Sequence, residues 1–335
     1  MNLQDFYYEL PEELIAQYPS QKRSDSRLMV LHRASGEVEH RRFSEIVDFF
    51  SEGDLIIFNN TKVIKARVTG RRRTGGKLEL IIFKDFPSEE VYALVKGHVK
   101  DGEVVNIEMW EAKLFRVKEG LFKVELLDGS FDEIIEKHGK MPLPPYIKRD
   151  PEPLDLERYQ TVFGEVEGAV AAPTAALHFD TELIEKIKKK GVEIVYITLH
   201  VSVGTFLPVK SEKVEEHRML PEYYEISELA AGKINAAKQM GKRAIFCGTT
   251  TVRAVESASV AGRVQPMAGK AEIFIYPGYK FQVVECMLTN FHLPQATPLF
   301  LVSALAGREK LLNAYKIAIK ERYRFFSYGD AMLII

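Results

Sequence analysis

Leu183-Ile-Glu-Lys-Ile-Lys-Lys-Lys-Gly-Val-Glu-Ile-Val-Tyr-Ile-Thr-Leu199 changes period at its glycine. Before Gly191, Leu183, Ile184 and Ile187 share one helical face; after it, Val192 to Leu199 reads as a strand. The pattern repeats downstream. Ile226, Leu229, Ala230, Ile234 and Ala237 form a second face ending at Gly241, Arg243-Ala-Ile-Phe-Cys247 reads as a strand, and Gly248-Thr-Thr-Thr-Val-Arg253 turns into the next helix. A third helix, roughly 308 to 321, carries Leu311, Leu312, Tyr315 and Ile319. Such alternation predicts an α/β architecture, barrel-like or layered.

The segment from 66 to 150 has another texture. Lys77-Leu-Glu-Leu-Ile-Ile-Phe83, Val91 to Val95, Val104 to Met109, Lys113 to Val117 and Leu121 to Leu127 are short and often alternating, with Gly75-Gly76, Asp101-Gly102 and Glu119-Gly120 between them. Strands this close, without helix, predict a small β-barrel or sandwich. It ends at the stiff, proline-rich Met141-Pro-Leu-Pro-Pro-Tyr146. Residues 1–65 look mixed again. The expected fold is therefore a discontinuous α/β domain of residues 1–65 and 151–335, with an inserted all-β barrel domain over 66–150. A length of 335 residues suits two domains.

The bulk numbers exclude several classes. A chain 46% hydrophobic and 28% charged is globular, and its two cysteines, Cys247 and Cys286, form no CxxC pair. A reducing compartment follows, and with no basic, apolar leader and no apolar run longer than Ala296 to Ala306, a cytoplasmic protein without a membrane partner is expected. Net charge is −1, yet Lys62 to Lys77 holds seven basic residues and no acidic one. Such a tract is either a solvated hairpin or a phosphate-gripping patch.

Three boxes surround a histidine with small or apolar residues: Gly168 to Phe179 around His178, Thr198 to Pro208 around His200, and Leu288 to Pro294 around His292. Polar groups in apolar loops leaving a sheet point to a dry pocket and an enzyme. Familiar signatures fail. Gly70 to Lys77 misses the phosphate-loop spacing, and Leu78 stands where a hydroxyl is required. GxGxxG, HExxH, CxxxCxxC and GxSxG are absent. No metal is expected, since each box histidine lacks a helical partner.

Read in order, the boxes resemble the S-adenosylmethionine:tRNA ribosyltransferase-isomerase family of queuosine biosynthesis. The resemblance runs through Tyr8-Glu-Leu-Pro-Glu-Glu-Leu-Ile-Ala-Gln17, Ser26-Arg-Leu28, Gly53-Asp-Leu-Ile-Ile-Phe-Asn-Asn-Thr-Lys-Val63, Gly168 to Thr174, Leu177-His-Phe179, Thr198 to Val201, Gly204 to Val209, Gly248-Thr-Thr250 with Val252-Arg253, Thr289 to Pro294 and Tyr323 to Met332. It implies transfer and isomerisation of the ribosyl group of S-adenosylmethionine onto 7-aminomethyl-7-deazaguanine in tRNA. Epoxyqueuosine-tRNA, adenine and methionine are the implied products. S-adenosylmethionine is then a consumed co-substrate and no cofactor is implied; the implied partner is the tRNA anticodon stem-loop, and the implied state a monomer. Departures from the family pattern are Ala176 for Gly, Phe163 for Tyr, Leu220 for a second histidine, and Gln295-Ala296 for Lys-Ser.

The implied reaction needs a base for the ribose carbon next to sulfonium, giving an ylide. Imidazole suits that task, so His178, His292 and His200 are the catalytic candidates, the first two ahead of the third. Thr174, Gly204, Thr205, Thr249, Thr250, Asn290, Asn59, Asn60 and Thr61 are candidate substrate-binding residues; Arg253 is expected to pair with the methionine carboxylate, and Asp330 with an amine. Arg71, Arg72, Arg73 and Lys77 are the candidate tRNA contacts. An aromatic platform for an unstacked base is sought among Phe206, Phe291, Tyr323, Phe325 and Phe326. Two alternatives make different products: an atypical tRNA methyltransferase would give S-adenosylhomocysteine, and a non-catalytic tRNA-binding protein would consume no donor.

Overall fold

A computed structural model describes residues 1–335. Four parallel strands form the centre of a nine-stranded sheet: Glu193–Leu199, Leu55–Asn59, Ala244–Cys247 and Cys286–Asn290, in that spatial order. Glu222–Ile226 and Met267–Ala271 extend one side antiparallel. On the other, Ala331–Ile334 runs antiparallel to Cys286–Asn290, followed by Arg27–Leu31 and the edge strand Val38–Arg42. The sheet is open, so the layered form of the expected α/β architecture is the one realised, and the barrel-like form is not.

Both faces of the sheet are covered. Leu55 and Ile57 pack with Val252, Val255, Leu299 and Val302 on one side; Ile56 and Phe58 pack with Phe43, Ile46, Leu183 and Ile187 on the other. That is why Leu55-Ile-Ile-Phe58 is an unbroken apolar run rather than an alternating one. The helix Thr181–Lys189 starts where the Asp180 carboxylate accepts from the Leu183 amide at 2.8 Å and stops before Gly191, whose φ of +79° admits few other residues.

The β-rich segment closes into a six-stranded antiparallel barrel in the order Leu121–Leu126, Glu90–Lys96, Lys77–Asp85, Arg67–Arg72, Glu103–Ile107, Trp110–Lys118. The strand expected over Val104 to Met109 stops at Ile107, because Glu108 adopts a positive φ of +54° in the turn to Trp110. Val68, Leu80, Ile82, Val105 and Leu114 fill the barrel, and Phe131 and Ile134 of the helix Phe131–His138 join them. Ala66 and Leu121 meet Val170 and Val203 in a small apolar cluster, which seats the barrel against the sheet near its working edge. No helix is long and apolar enough to cross a membrane.

One buried carboxylate organises the approach to Cys286–Asn290. Glu256 accepts from the amides of Gln282, Val283 and Val284 and from the Tyr279 hydroxyl, at 2.9 to 3.0 Å. Its removal strands three donors in the interior. We expect Glu256→Ala to cost roughly 2–4 kcal/mol in urea unfolding, against under about 0.5 kcal/mol for an exposed control such as Glu228→Ala.

Candidate active site

The central strands end together at Asn59, Leu199, Cys247 and Asn290, the edge at which open α/β sheets bind ligands. A cleft there encloses about 780 Å³, open solvent included. Thr174, Thr205, Thr249, Thr250, Asn290 and His292 line it. Gly248, at φ +94°, turns the chain sharply from its strand into the helix Thr249–Ser257. The first-turn amides of that helix have no intrahelical acceptor, which favours an anionic group beside them.

Three polar atoms around this cleft are buried without a partner: Thr250 Oγ1, Asn290 Oδ1 and the Tyr159 hydroxyl, which lies near Ala172 and Ser327 without a bond of good geometry. The Asn290 case is the most informative. Its Nδ2 faces the carbonyls of Phe326 and Asp330, at 3.2 and 3.5 Å, and His178 Nε2 at 3.1 Å. The amide orientation is thereby fixed, and Oδ1 is left as an acceptor awaiting an N–H or O–H.

The same bond sets the tautomer of His178. Nε2 accepts from Asn290, so Nδ1 carries the hydrogen and donates to Ser26 Oγ at 2.7 Å. Both nitrogens are committed, the ring is buried, and it does not line the cleft. Burial, followed by the charges of Arg324 and Arg23, pushes its pKa down to about 3. His292 does line the cleft. Its Nε2 lies 2.7 Å from Thr289 Oγ1, its backbone is held by Tyr315 and Tyr8, and Nδ1 has no protein partner. Desolvation lowers its pKa to about 3. His200 lines a different recess and is held by Thr61 Oγ1 at 2.8 Å from Nδ1; burial lowers its pKa to about 4.

Other candidates lie outside the cleft. Asn59 bridges to both backbone groups of Leu199, Asn60 accepts from Thr198, and Thr61 holds His200. Gly204 lines a neighbouring surface groove with Leu220. Arg253 is buried in an ion pair with Glu222 and donates to the carbonyls of Ile273 and Ala271, so its guanidinium is spent within the fold. Asp330 accepts from the amides of Arg27 and Arg324, at 2.9 and 2.7 Å, and closes the turn before the last strand. In the basic tract, Arg72 pairs with Glu103 and Arg73 with Glu111, whereas Arg71 and Lys77 are exposed without a carboxylate partner. Of the aromatic candidates, Phe206, Phe291 and Phe326 reach the cleft; Tyr323 and Phe325 are core.

Tyr146, Tyr159 and Ser327 also line the cleft, and sequence reasoning missed them. Tyr146 donates to or accepts from Ser327 at 2.6 Å and packs on Phe326, with ring centroids 4.6 Å apart. The only sequence cues were the proline-rich exit containing Tyr146 and the box containing Ser327.

Comparison with known proteins converges on one family. A family model described as a queuosine biosynthesis protein matches residues 3–334. The chain is 48% identical over 338 residues to the S-adenosylmethionine:tRNA ribosyltransferase-isomerase of Aquifex aeolicus, and 49% identical over 343 residues to that of Acetivibrio thermocellus, in both cases over 100% of each chain. It is also similar to the crystal structure of S-adenosylmethionine tRNA ribosyltransferase from Thermotoga maritima, at 36% identity and a TM-score of 0.58, over 99% of this chain and 100% of that one.

The depressed pKa of His178 fixes a sign for stability. Above an unfolded value near 6.5 both states are neutral; below it the unfolded chain binds a proton that the native ring refuses until about 3. Stability therefore falls on acidification through this window, by up to about 1.4 kcal/mol per pH unit for this one group. Denaturant titrations between pH 7 and 4 should show that slope reduced by about one proton in His178→Gln; an unchanged slope contradicts the assignment.

Proposed function

The chain belongs to the family of S-adenosylmethionine:tRNA ribosyltransferase-isomerases of queuosine biosynthesis, and on that premise we propose that the cleft at the strand ends takes S-adenosylmethionine as a ribosyl donor. The ribosyl group passes, with isomerisation, to 7-aminomethyl-7-deazaguanine in the anticodon stem-loop of tRNA, giving epoxyqueuosine-tRNA, adenine and methionine. The observation that carries this assignment is the set of three unpartnered buried polar atoms converging on one cleft beside a histidine with a free nitrogen.

His292 is the base. With the ring hydrogen assigned to Nε2, 2.7 Å from Thr289 Oγ1, the unpartnered Nδ1 presents a lone pair to the ribose carbon next to sulfonium. Its low pKa keeps the ring unprotonated at neutral pH, at the expense of intrinsic basicity; the adjacent sulfonium charge acidifies the carbon and offsets that loss. The first-turn amides of Thr249 and Thr250 hold the methionine carboxylate. Asn290 Oδ1 accepts a hydrogen bond from the donor, whose adenine amine and ribose hydroxyls all qualify. Tyr159 supplies a hydroxyl where adenine departs. His178 positions Asn290 rather than touching substrate. Arg71 and Lys77, free of carboxylates, meet the RNA phosphates.

The test is a product analysis with S-adenosylmethionine and tRNA bearing the aminomethyl base. Adenine and methionine should appear together as the tRNA gains mass. S-adenosylhomocysteine instead would mark a methyltransferase, and intact donor a binding protein. In the same assay, His292→Asn should slow adenine release by at least about a hundredfold while donor affinity stays within a few-fold.

A further inference from the structure

A second recess lies between the barrel and the sheet, beside the first cleft. Phe83, Phe86, Tyr92 and Leu121 come from the barrel side, His200, Glu222 and Tyr223 from the sheet side. Val201 lines both this recess and the cleft at the strand ends, so the two adjoin there. The recess encloses about 800 Å³ with open solvent included.

Its wall is an aromatic cluster. Phe86 lies 4.7 Å from His200 and 5.9 Å from Tyr223, and the His200 and Tyr223 rings are nearly parallel, 18° apart at 6.0 Å. Phe86 and Tyr223 are only partly buried. Gly168 makes the arrangement possible: a Cβ there would come within 2.8 Å of Phe86 and 2.9 Å of the His200 ring, and its φ of +148° is left to glycine. Partly exposed rings lining a recess differ from those of a protein core, where aromatic faces are covered on both sides.

His200 adds a polar requirement. Thr61 Oγ1 lies 2.8 Å from His200 Nδ1 and 3.4 Å from the Val166 carbonyl; with the hydroxyl hydrogen assigned to that carbonyl, Nδ1–H is the donor to Thr61. Nε2 then carries a lone pair and has no protein partner, in a residue only 7% exposed. The other charged groups lining the recess are engaged elsewhere: Asp85 with Lys270 at 2.7 Å, Lys84 with Asp132 at 3.2 Å, and Glu222 with Arg253. One free acceptor beside a bare aromatic wall is a site for a flat heterocycle bearing an N–H donor.

Resting on the function proposed above, we infer that this recess receives the 7-deazapurine base of the acceptor RNA, stacked on the Phe86–Tyr223 wall, with His200 Nε2 accepting a hydrogen bond from its aminomethyl arm. The base must leave the RNA stack to be modified, and an aromatic wall recovers the stacking it gives up. The two recesses adjoin at Val201, which sets the arm facing the donor ribose. His200 is then a positioning residue, distinct in place and role from His292.

The test uses two anticodon stem-loop RNAs, identical except that one carries the aminomethyl-deazaguanine and the other guanine. Each is titrated into the wild-type protein and into Tyr223→Leu, Phe86→Leu, His200→Leu and His200→Gln; S-adenosylmethionine is titrated separately. The wild type should prefer the aminomethyl RNA. The preference should fall at least about tenfold in both aromatic variants and in His200→Leu, and recover in part in His200→Gln, whose carbonyl restores an acceptor. Donor affinity should stay within about twofold, which also reports an intact fold. An unchanged preference in every variant, or no preference in the wild type, overturns the inference. Donor affinity falling in parallel would give the recess to the donor and overturns it too. If the wild type releases adenine while the preferences stay unchanged, only the recess assignment fails; if it releases none, the proposed function fails.

Discussion

The side-chain amide of Asn59 spans two strands at the point where their ladder ends. It donates to the Leu199 carbonyl at 2.8 Å and accepts from the Leu199 amide at 3.0 Å, taking over where parallel pairing stops. The next groups inherit that register. Thr61 is placed to hold His200, Val201 lines both clefts where they adjoin, and the His200 amide bonds the Tyr223 carbonyl at 2.9 Å. A buried amide bonded in this way is costly to replace, because an apolar substitute leaves three backbone groups unpaired, the Leu199 carbonyl and amide and the Thr61 amide.

A second constraint is neutrality. Imidazoles in the three boxes sit where burial opposes charge, and each is held by a neutral partner: Ser26 and Asn290, Thr61, or Thr289. A carboxylate beside any of them would raise its pKa and spend its lone pair on a permanent proton. The sulfonium ligand brings its own positive charge, so a site kept free of cations at His292 suits a base that must meet it uncharged. The one nearby guanidinium from the sequence reading, Arg253, is neutralised by Glu222 inside the fold.

Much of the fold was legible because periodicity is local. The switch at Gly191 marks a helix end and a strand start, and the crowded short strands after Ala66 close into a barrel. Antiparallel neighbours such as Glu222–Ile226 and Met267–Ala271 were not legible, since their pairing joins residues far apart in sequence. The site was readable as boxes and opaque as geometry. Thr174, Thr249, Thr250, Asn290 and His292 do gather at one cleft. That His178 is locked by Ser26, 152 residues away, or Arg73 partnered by Glu111 across the barrel, depends on contacts with no signature in either segment. Tyr159 escaped notice because a lone tyrosine in a helix-ending segment looks like core, and only its unpartnered hydroxyl distinguishes it.

The central claim is that an uncharged His292 removes the ribose proton next to sulfonium. Deuterium exchange tests it most directly: S-adenosylmethionine is incubated in heavy water with the protein and tRNA carrying guanine, so that transfer cannot follow, and the recovered donor is examined by mass spectrometry and NMR. Deuterium should enter at that carbon with the wild-type protein and not with His292→Asn. Undiminished uptake in His292→Asn would contradict the assignment and return the role of base to another group lining the cleft.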